Sequence, residues 1–164
     1  MRLIYCLLIS LFTSPIYASP TDALVKIGEG EMSVFFWSLY KAELYGSSAS
    51  FNQAQRPLAL KITYLRDIKR DDLIDATEQQ WKKIDYTHPN IELWLQQLKS
   101  IWPDIKENDV LTIRVEDNLS HFYQKDTLIG TVNDADFGPA FMSIWLSDKT
   151  TRPDLRKQLL GLSI

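Results

Sequence analysis

Apolar and polar side chains alternate along the first part of the chain, as is typical of half-buried β-strands. Residues 24–32 predict a first strand, and "SVFFWSLYKAELYG" at 33–46 predicts a long second one. Gly28 and Gly30 indicate a bulge or a close backbone approach in the first of these strands. The segment "LALKITYLR" predicts a third strand, whose larger apolar side chains share one face: Leu58, Leu60, Ile62 and Tyr64.

The second of these segments is unusually aromatic, with two Phe, two Tyr and one Trp between residues 33 and 46. Interpreted as one strand, its first half is covered on both faces, which predicts that Phe35, Phe36 and Trp37 belong to the core. Lys41 and Glu43 exclude a membrane span and indicate that one face reaches water in the later half.

The hydrophobic period then changes to that of an α-helix. Residues 69–85 predict an amphipathic helix with two Asp in its first turn and two Lys in its last turn, which suits the helix dipole. A second helix is predicted from a cap at Asn90 to a stop at Pro103. Trp81 lies on the apolar stripe of the first helix, and two further Trp lie on that of the second.

Strand patterns return after the second predicted helix. The segment "DVLTIRVED" predicts one strand, and "LSHFYQKDTLIGTV" predicts a hairpin that turns near Lys125 and Asp126. Two more helices are predicted to follow, one capped by Asp136 and one by a capping box of Thr151 and Asp154. Strands and helices occur in separate groups, which predicts an α+β fold: a large antiparallel sheet with a helical layer on one face.

Residues 1–18 differ from the rest of the chain and predict a secretory signal peptide. A short basic start at Arg2 precedes an apolar run about half as long as a membrane-spanning helix requires. Cleavage near Ala18 leaves one domain at 19–164, expected to be periplasmic or secreted. Cys6 lies inside the apolar run and follows a large Tyr, so a lipid anchor at this position is not expected.

The balance of charged residues disfavours some classes of binding partner. The chain carries 18 Lys and Arg against 21 Asp and Glu, with no basic cluster, which argues against nucleic acid and against polybasic attraction to membranes. We expect no stable membrane insertion. Once the predicted signal peptide is removed no Cys remains, so neither disulfides nor a thiol nucleophile are expected.

Residue types for catalysis or metal binding are sparse. The two histidines, His88 and His121, are far apart in the sequence and form no metal-ligand pair, and no Gly-x-Ser-x-Gly turn presents a nucleophile. The carboxylates at 116–118 and 133–136 are interpreted as turn residues and a helix cap, because the spacing of a calcium loop is absent. No metal and no cofactor are therefore expected.

Arg66 is a more specific candidate. It ends the third predicted strand on the same face as Tyr64, where an Arg at the edge of an apolar face can bind a ligand carboxylate. The alternative is a salt bridge from Arg66 to Asp67 or Asp71 at the strand end.

Several segments in order, "KIGEGEMSVFFWSLYKAELY", "LALKITYLRDI", "NDVLTIRV", "LIGTVNDADFGPAFMSIWL" and "PDLRKQLLG", resemble the bacterial secreted chalcone isomerase-like proteins. The resemblance spans roughly residues 24–162. It implies an open-faced β-sandwich of chalcone isomerase type, in which a ligand cleft separates the sheet from the helical layer.

The resemblance also implies places for functional residues. The plant enzymes of this family close a flavanone ring with an Arg, a Thr and a Tyr, and non-catalytic relatives hold a fatty acid carboxylate with an Arg and a Tyr at the first two places. Matching the strand motif by eye puts Tyr40 at the Thr or Tyr place and Gly28 at the Arg place. The third place falls loosely among residues 68–71, where no Tyr occurs. The missing cation disfavours chalcone cyclisation.

These observations predict an exported, non-catalytic protein that binds a fatty acid or another lipophilic small molecule. An intramolecular lyase or isomerase and a protein-interaction module of the cell envelope are the alternatives. The candidate ligand-binding residues are Tyr40, Tyr64, Arg66, Trp37, Trp81 and Trp145.

Overall fold

A computed structural model describes residues 19–162, so the predicted signal peptide at 1–18 lies outside the described residues. Six strands form one antiparallel sheet in the order of the sequence, and each strand pairs with the next. The strands are β1 Val25–Val34, β2 Trp37–Gly46, β3 Leu58–Tyr64, β4 Val110–Val115, β5 Ser120–Gln124 and β6 Thr127–Val132. The helices are α1 Arg70–Lys83, α2 Ile91–Ile101, α3 Phe137–Leu146 and α4 Pro153–Leu159.

One face of the sheet is apolar and lies under the helices, which confirms the predicted α+β class. A buried row crosses four strands through direct cross-strand pairs: Leu44, Leu60, Ile113 and Phe122. The opposite face carries charged side chains, such as Glu43, which forms salt bridges with Lys26 and with Lys61 at 2.5 and 3.2 Å. A sheet covered on one face produces this alternation of apolar and polar side chains.

The first hairpin, β1–β2, differs from its prediction. The strand break predicted between residues 32 and 33 is wrong, because β1 continues to Val34 and the chain turns at Phe35 and Phe36. The prediction that Phe35, Phe36 and Trp37 belong to the core is also wrong, since these side chains are 93%, 100% and 69% exposed. The hairpin tip carries them away from the apolar row that the helices cover.

The second hairpin, β5–β6, turns at Lys125 and Asp126 as predicted. Each hairpin contains one extra residue in its second strand, close to the turn. In the first hairpin this residue is Leu39, between the pairs Met32–Tyr40 and Ser33–Ser38. In the second hairpin it is Ile129, between the pairs Phe122–Gly130 and Tyr123–Leu128. Such β-bulges redirect neighbouring side chains relative to the sheet.

The predicted side-chain caps are not formed, although the four predicted helices are present. The Asn90 amide donates to Asp134 Oδ2 at 3.0 Å, so it bridges two segments instead of capping α2. Asp136 makes no cap bond to α3. Thr151 Oγ1 donates to Gln80 Oε1 at 2.9 Å, which links the start of α4 to α1.

The helical layer has an aromatic core in which the indole N–H groups of Trp81 and Trp94 are hydrogen-bonded, whereas that of the buried Trp102 has no partner among the described residues. Trp81 and Trp94 lie 5.9 Å apart between ring centroids, and Phe137 packs edge-on against Trp94. Trp81 Nε1 donates to the Ala140 carbonyl, and Trp94 Nε1 donates to the Asp134 carboxylate, both at 2.8 Å. This part of the layer is a close-packed core.

Candidate functional site

A cavity of about 810 Å³ lies between the apolar face of the sheet and the helices α1 and α3. This volume is within the range of about 300–1,000 Å³ found for small-molecule sites. Its inner wall is apolar and aromatic, formed by Leu60, Ile62, Trp102, Leu111, Ile113, Phe122, Phe141 and Ile144.

The bulge at Leu39 shapes the wall of this cavity near the first hairpin. Leu39 and Tyr40 are consecutive, so in a regular strand they would point to opposite faces, yet both line the cavity. The opposite wall is formed by α1, where Ala76 and Thr77 present small side chains. Thr77 Oγ1 donates to the Leu73 carbonyl at 2.8 Å and so satisfies its hydroxyl within its own helix.

The buried phenol of Tyr64, the partly buried phenol of Tyr40 and one indole form a polar cluster in the cavity wall. Trp145 Nε1 donates to the Tyr40 hydroxyl oxygen at 2.9 Å, and the Tyr40 and Tyr64 rings meet edge-on with centroids 6.1 Å apart. Burial raises the pKa of Tyr40 to about 12, although the Trp145 bond and the Arg152 charge oppose the rise. Burial also raises the pKa of Tyr64, with a further contribution from Tyr40. Both phenols therefore keep their protons at neutral pH.

The cluster is well suited to bind a hydrogen-bond acceptor. Since the Tyr40 oxygen already accepts from Trp145, its own O–H proton remains to be donated. The Tyr64 hydroxyl is also a donor, and both tyrosines line the cavity. A carboxylate, which only accepts hydrogen bonds when ionised, matches this arrangement.

Three cationic side chains line the same cavity: Arg66, Lys83 and Arg152. The salt bridges considered for Arg66 are not formed, because Asp67 pairs with Lys106 at 2.9 Å and Asp71 pairs with Lys99 at 3.3 Å. Asp67 also accepts a hydrogen bond from the Glu107 amide at 2.9 Å, which holds its carboxylate away from Arg66. Asp67 and Asp72 line the cavity as well, so the local charge is mixed with a small cationic excess.

Arg152 lines the cavity although the sequence analysis did not predict it as a ligand-binding residue. It immediately precedes Pro153 at the start of α4 and is followed by ordinary helix residues, so its sequence context indicates only a helix N-terminus. The loop before it is fixed by Thr150 Oγ1, which donates to the Ile144 carbonyl at 2.8 Å, and by the bond from Thr151 to Gln80. These contacts position Arg152 near the Tyr40 hydroxyl, where its charge acts on the phenol.

Four of the six candidate residues lie together in the cavity lining: Tyr40, Tyr64, Arg66 and Trp145. Trp37 lies instead at the exposed tip of the first hairpin, and Trp81 lies in the packed aromatic core. Neither of these two lines the cavity.

Gly28, the position matched to the family's Arg, also lies away from the cavity lining. It packs against the end of α4, where an added Cβ would collide with the Gln158 carbonyl and lie 2.6 Å from the Leu159 carbonyl oxygen. A larger side chain therefore has no room at residue 28. The cations of this cavity come from other segments of the chain.

The described residues contain neither a candidate metal cluster nor a candidate membrane-spanning helix. Between residues 19 and 162 there is no cluster of three or more His, Cys, Asp or Glu side chains that could hold a metal ion. Within the same range, no helix is both long enough and apolar enough to cross a bilayer.

A single antiparallel sheet with helices on one face and a ligand-sized cavity between the two layers defines an open-faced α+β fold. Residues 21–161 match the chalcone isomerase-like family, and the chain belongs to that family. An uncharacterized protein of Haemophilus influenzae is 25% identical over 161 residues, which cover 98% of this chain and 78% of that protein.

Among solved structures, the crystal structure of an Arabidopsis thaliana fatty-acid binding protein has the same fold, with a TM-score of 0.66 and 12% sequence identity. The match covers 85% of this chain and 88% of the plant chain. At this level of identity the similarity establishes the architecture, and it confirms the predicted chalcone isomerase-type sheet.

Proposed function

We propose that the cavity binds a fatty acid, or another lipophilic molecule with one anionic group, without converting it. The observation that carries this proposal is the division of the cavity into an apolar interior and a region with hydrogen-bond donors and cations: Tyr40, Tyr64, Arg66 and Arg152. A structural neighbour of the same fold is named as a fatty-acid binding protein, which supports the proposal.

The apolar wall supplies most of the affinity. Each methylene group moved from water into this wall contributes about 0.8 kcal/mol, which corresponds to roughly a fourfold gain in affinity. The carboxylate contributes orientation, since a guanidinium and two phenolic O–H groups can replace part of its hydration. Arg66 lies just after the end of β3 and Arg152 just before the start of α4, so a carboxylate between them bridges the sheet and the helical layer.

Calorimetric titration with saturated fatty acids of increasing length tests this proposal. Affinity is expected to rise about fourfold per methylene and to stop rising once the chain fills the cavity. The methyl ester of the best fatty acid is expected to bind more weakly than the free acid. Failure of every fatty acid to bind would overturn the proposal. Equal affinity for the acid and its ester would show that the cations do not bind the carboxylate.

A matched set of variants locates the carboxylate. Arg152→Gln and Arg66→Gln are expected to weaken binding of the acid by about tenfold each and to leave the ester unaffected, because a charge-assisted hydrogen bond contributes about 1.5–3 kcal/mol. Lys41→Gln, on the solvent-exposed side of β2, is the control and should change neither affinity. A loss of ester affinity in the Arg variants would indicate damage to the cavity instead of a lost ion pair.

The proposal includes no catalytic step. Tyr40 keeps its proton at neutral pH, and the place matched to the family's catalytic Arg is a glycine enclosed by α4. Incubation with chalcones is therefore expected to give no cyclisation above the spontaneous rate. An excess rate that disappears in Tyr40→Phe would replace the binding proposal with an isomerase.

Export to the periplasm or the medium is part of the proposal. It is supported by the basic start and short apolar run within residues 1–18. N-terminal sequencing of the protein purified from its own cells is expected to give a chain that starts near Ser19. Recovery of the full-length chain from the cytoplasm would overturn this part.

A further inference from the structure

The tip of the first hairpin exposes three consecutive aromatic side chains, which we call the aromatic tip: Phe35, Phe36 and Trp37. Phe35 and Phe36 are almost fully exposed, and Trp37 is exposed over two thirds of its surface. The other large apolar side chains exposed between residues 19 and 162, such as Leu93 and Leu128, are isolated from one another in sequence. A contiguous exposed apolar patch, unlike scattered single residues, indicates an interaction surface.

The turn itself does not require aromatic residues. Phe35 has a φ of 54°, in the left-handed region where Gly, Asn and Asp are favoured and bulky residues are disfavoured. Lys125 adopts the same φ of 54° in the turn of the second hairpin, with polar side chains. Phe35 therefore occupies an unfavourable backbone conformation without gaining any burial, and an external contact supplies a reason for it.

The aromatic tip is continuous with the wall of the cavity. Trp37 pairs directly with Val34, and Tyr40 pairs with Met32, so each pair projects on one face of the hairpin. Val34, Met32 and Tyr40 all line the cavity. An apolar surface therefore runs along the inner face of the first hairpin, from the exposed tip into the cavity.

We propose that the aromatic tip docks the protein on a lipid bilayer and brings the cavity against the membrane, so that the lipophilic ligand passes between bilayer and cavity. This inference rests on the proposed function for its ligand. Trp favours the membrane–water interface, and Trp and Phe form the inserted apolar face of proteins that lie in this interface. The contact is peripheral, through one turn.

A lipid surface fits the aromatic tip better than a protein surface does. Three aromatic side chains of about 150–250 Å² each offer roughly 450–750 Å² in total, and part of Trp37 is already covered by the protein itself. A stable protein interface buries about 800 Å² on each partner with well-matched surroundings. Insertion into a fluid bilayer requires no such complementary shape, because the lipids rearrange around the inserted side chains and the affinity scales with the apolar area that is buried.

The second hairpin provides a matched replacement for the tip. The test variant replaces the aromatic tip by the residues at equivalent positions of the second hairpin: Phe35→Lys, Phe36→Asp and Trp37→Thr. Wild-type protein is expected to co-float with phosphatidylcholine vesicles, including at high salt, because aromatic insertion is not screened. The triple variant is expected to lose on the order of a thousandfold in vesicle partitioning, since each of the three inserted aromatic side chains contributes about tenfold. Leu128→Ser is the control and should partition like the wild type.

Trp fluorescence and ligand transfer give two further readouts. Brominated phosphatidylcholine is expected to quench Trp fluorescence in the wild type more than in Trp37→Phe. Transfer of a fluorescent fatty acid from vesicles to the protein is expected to be slower in the triple variant, while its affinity for the same fatty acid in detergent-free solution is unchanged. Phe36→Asp alone repeats the vesicle test if the triple variant does not fold, because Phe36 is fully exposed.

The outcomes separate this inference from the proposed function. Vesicle binding that is unchanged in the triple variant, or absent in the wild type, would overturn the docking role even if fatty acids bind. Loss of fatty acid binding in Arg152→Gln with intact vesicle partitioning would leave docking in place. If the wild type self-associates, ignores vesicles and becomes monomeric in the triple variant, the tip is a protein interface and the inference is wrong.

Discussion

The two hairpins at the edges of the sheet have the same backbone geometry, but the side chains at their turns are aromatic in the first and charged in the second. In each, a two-residue turn begins at a residue with φ of 54°, and one bulge residue, Leu39 or Ile129, follows at the same distance from the turn. The first turn carries Phe-Phe, and the second carries Lys-Asp. Equal geometry with such different side chains shows that the aromatic residues are not needed to form the turn.

The inner faces of the hairpins differ as well. Tyr40 in the first hairpin occupies the position that Gly130 occupies in the second. Ile101 of α2 approaches Gly130 so closely that an added Cβ would lie 2.6 Å from its Cγ1. The second hairpin is therefore filled by a helix side chain, whereas the first leaves a cavity beside Tyr40. One edge of the sheet is closed by packing, and the other remains open to a ligand.

The largest expected effect concerns how each hairpin is held by its helix. Gly28→Ala in the first hairpin places a Cβ against backbone atoms of α4, so the helix itself must move. We expect a loss of about 3 kcal/mol in the free energy of unfolding, measured by urea denaturation. Gly130→Ala in the second hairpin meets the Ile101 side chain, which can rotate, and should cost about 1–2 kcal/mol.

This pair of variants also tests the placement of the helices. A smaller loss for Gly28→Ala than for Gly130→Ala would contradict the backbone contact of α4 with β1. Gly46→Ala is a further comparison, because its nearest atoms belong to the Gln55 side chain at 2.7 Å. Its cost is expected to be closer to that of Gly130→Ala.

The second-largest expected effect is a loss of stability at alkaline pH caused by the Tyr40 phenol, which has no counterpart in the second hairpin. The pKa of Tyr40 is about 12, against 10 for an exposed phenol, so the folded state retains a proton that the unfolded state releases as the pH rises. Stability contributed by the neutral phenol is present below pH 10 and is lost between pH 10 and 12. The difference of two pH units corresponds to about 2–3 kcal/mol.

Chemical denaturation at a series of alkaline pH values measures this loss. Tyr40→Phe is expected to reduce the loss by the share of Tyr40, because Phe has no proton to release, while Tyr64, whose pKa is also raised, still contributes the rest. The variant also leaves the Trp145 N–H without its acceptor, which should cost about 1 kcal/mol at neutral pH. Equal alkaline losses in wild type and Tyr40→Phe would mean that water already reaches the phenol and that the first hairpin is more open than the structure shows.

The sequence predicted the fold better than the site, for physical reasons. Strand and helix periods follow from which side chains are buried, so β3, α1 and α2 were predicted with the correct faces. The second turn was predicted from its polar residues. The first was missed because Phe35 and Phe36 have no turn chemistry and continue the apolar pattern of the strands on either side.

The full set of cavity residues could not be predicted from the sequence, because the cavity is formed by tertiary contacts that no local sequence pattern contains. Tyr40 and Tyr64 are direct partners on paired strands, and Arg66 follows Tyr64 by two residues, so their proximity follows from the sheet register. Trp145 and Arg152 come from α3 and the start of α4, and only the packing of the helical layer brings them to Tyr40. Trp81 and Trp145 both lie on apolar stripes, and the sequence does not show that one is core and the other is cavity wall.

The smallest expected effect tests whether the two turns are equivalent. Gly has no Cβ and adopts positive φ readily, so Phe35→Gly and Lys125→Gly are each expected to stabilise the protein by about 0.5–1 kcal/mol. Because both residues have the same φ and the Phe35 side chain is 93% exposed, the two gains should be equal within error in thermal and urea unfolding. A destabilised Phe35→Gly would show that the aromatic side chain packs on the protein itself, and the tip would then be a structural element. Equal gains would mean that the chain keeps Phe35 at a cost to its own stability, as expected of a residue whose partner lies outside the molecule.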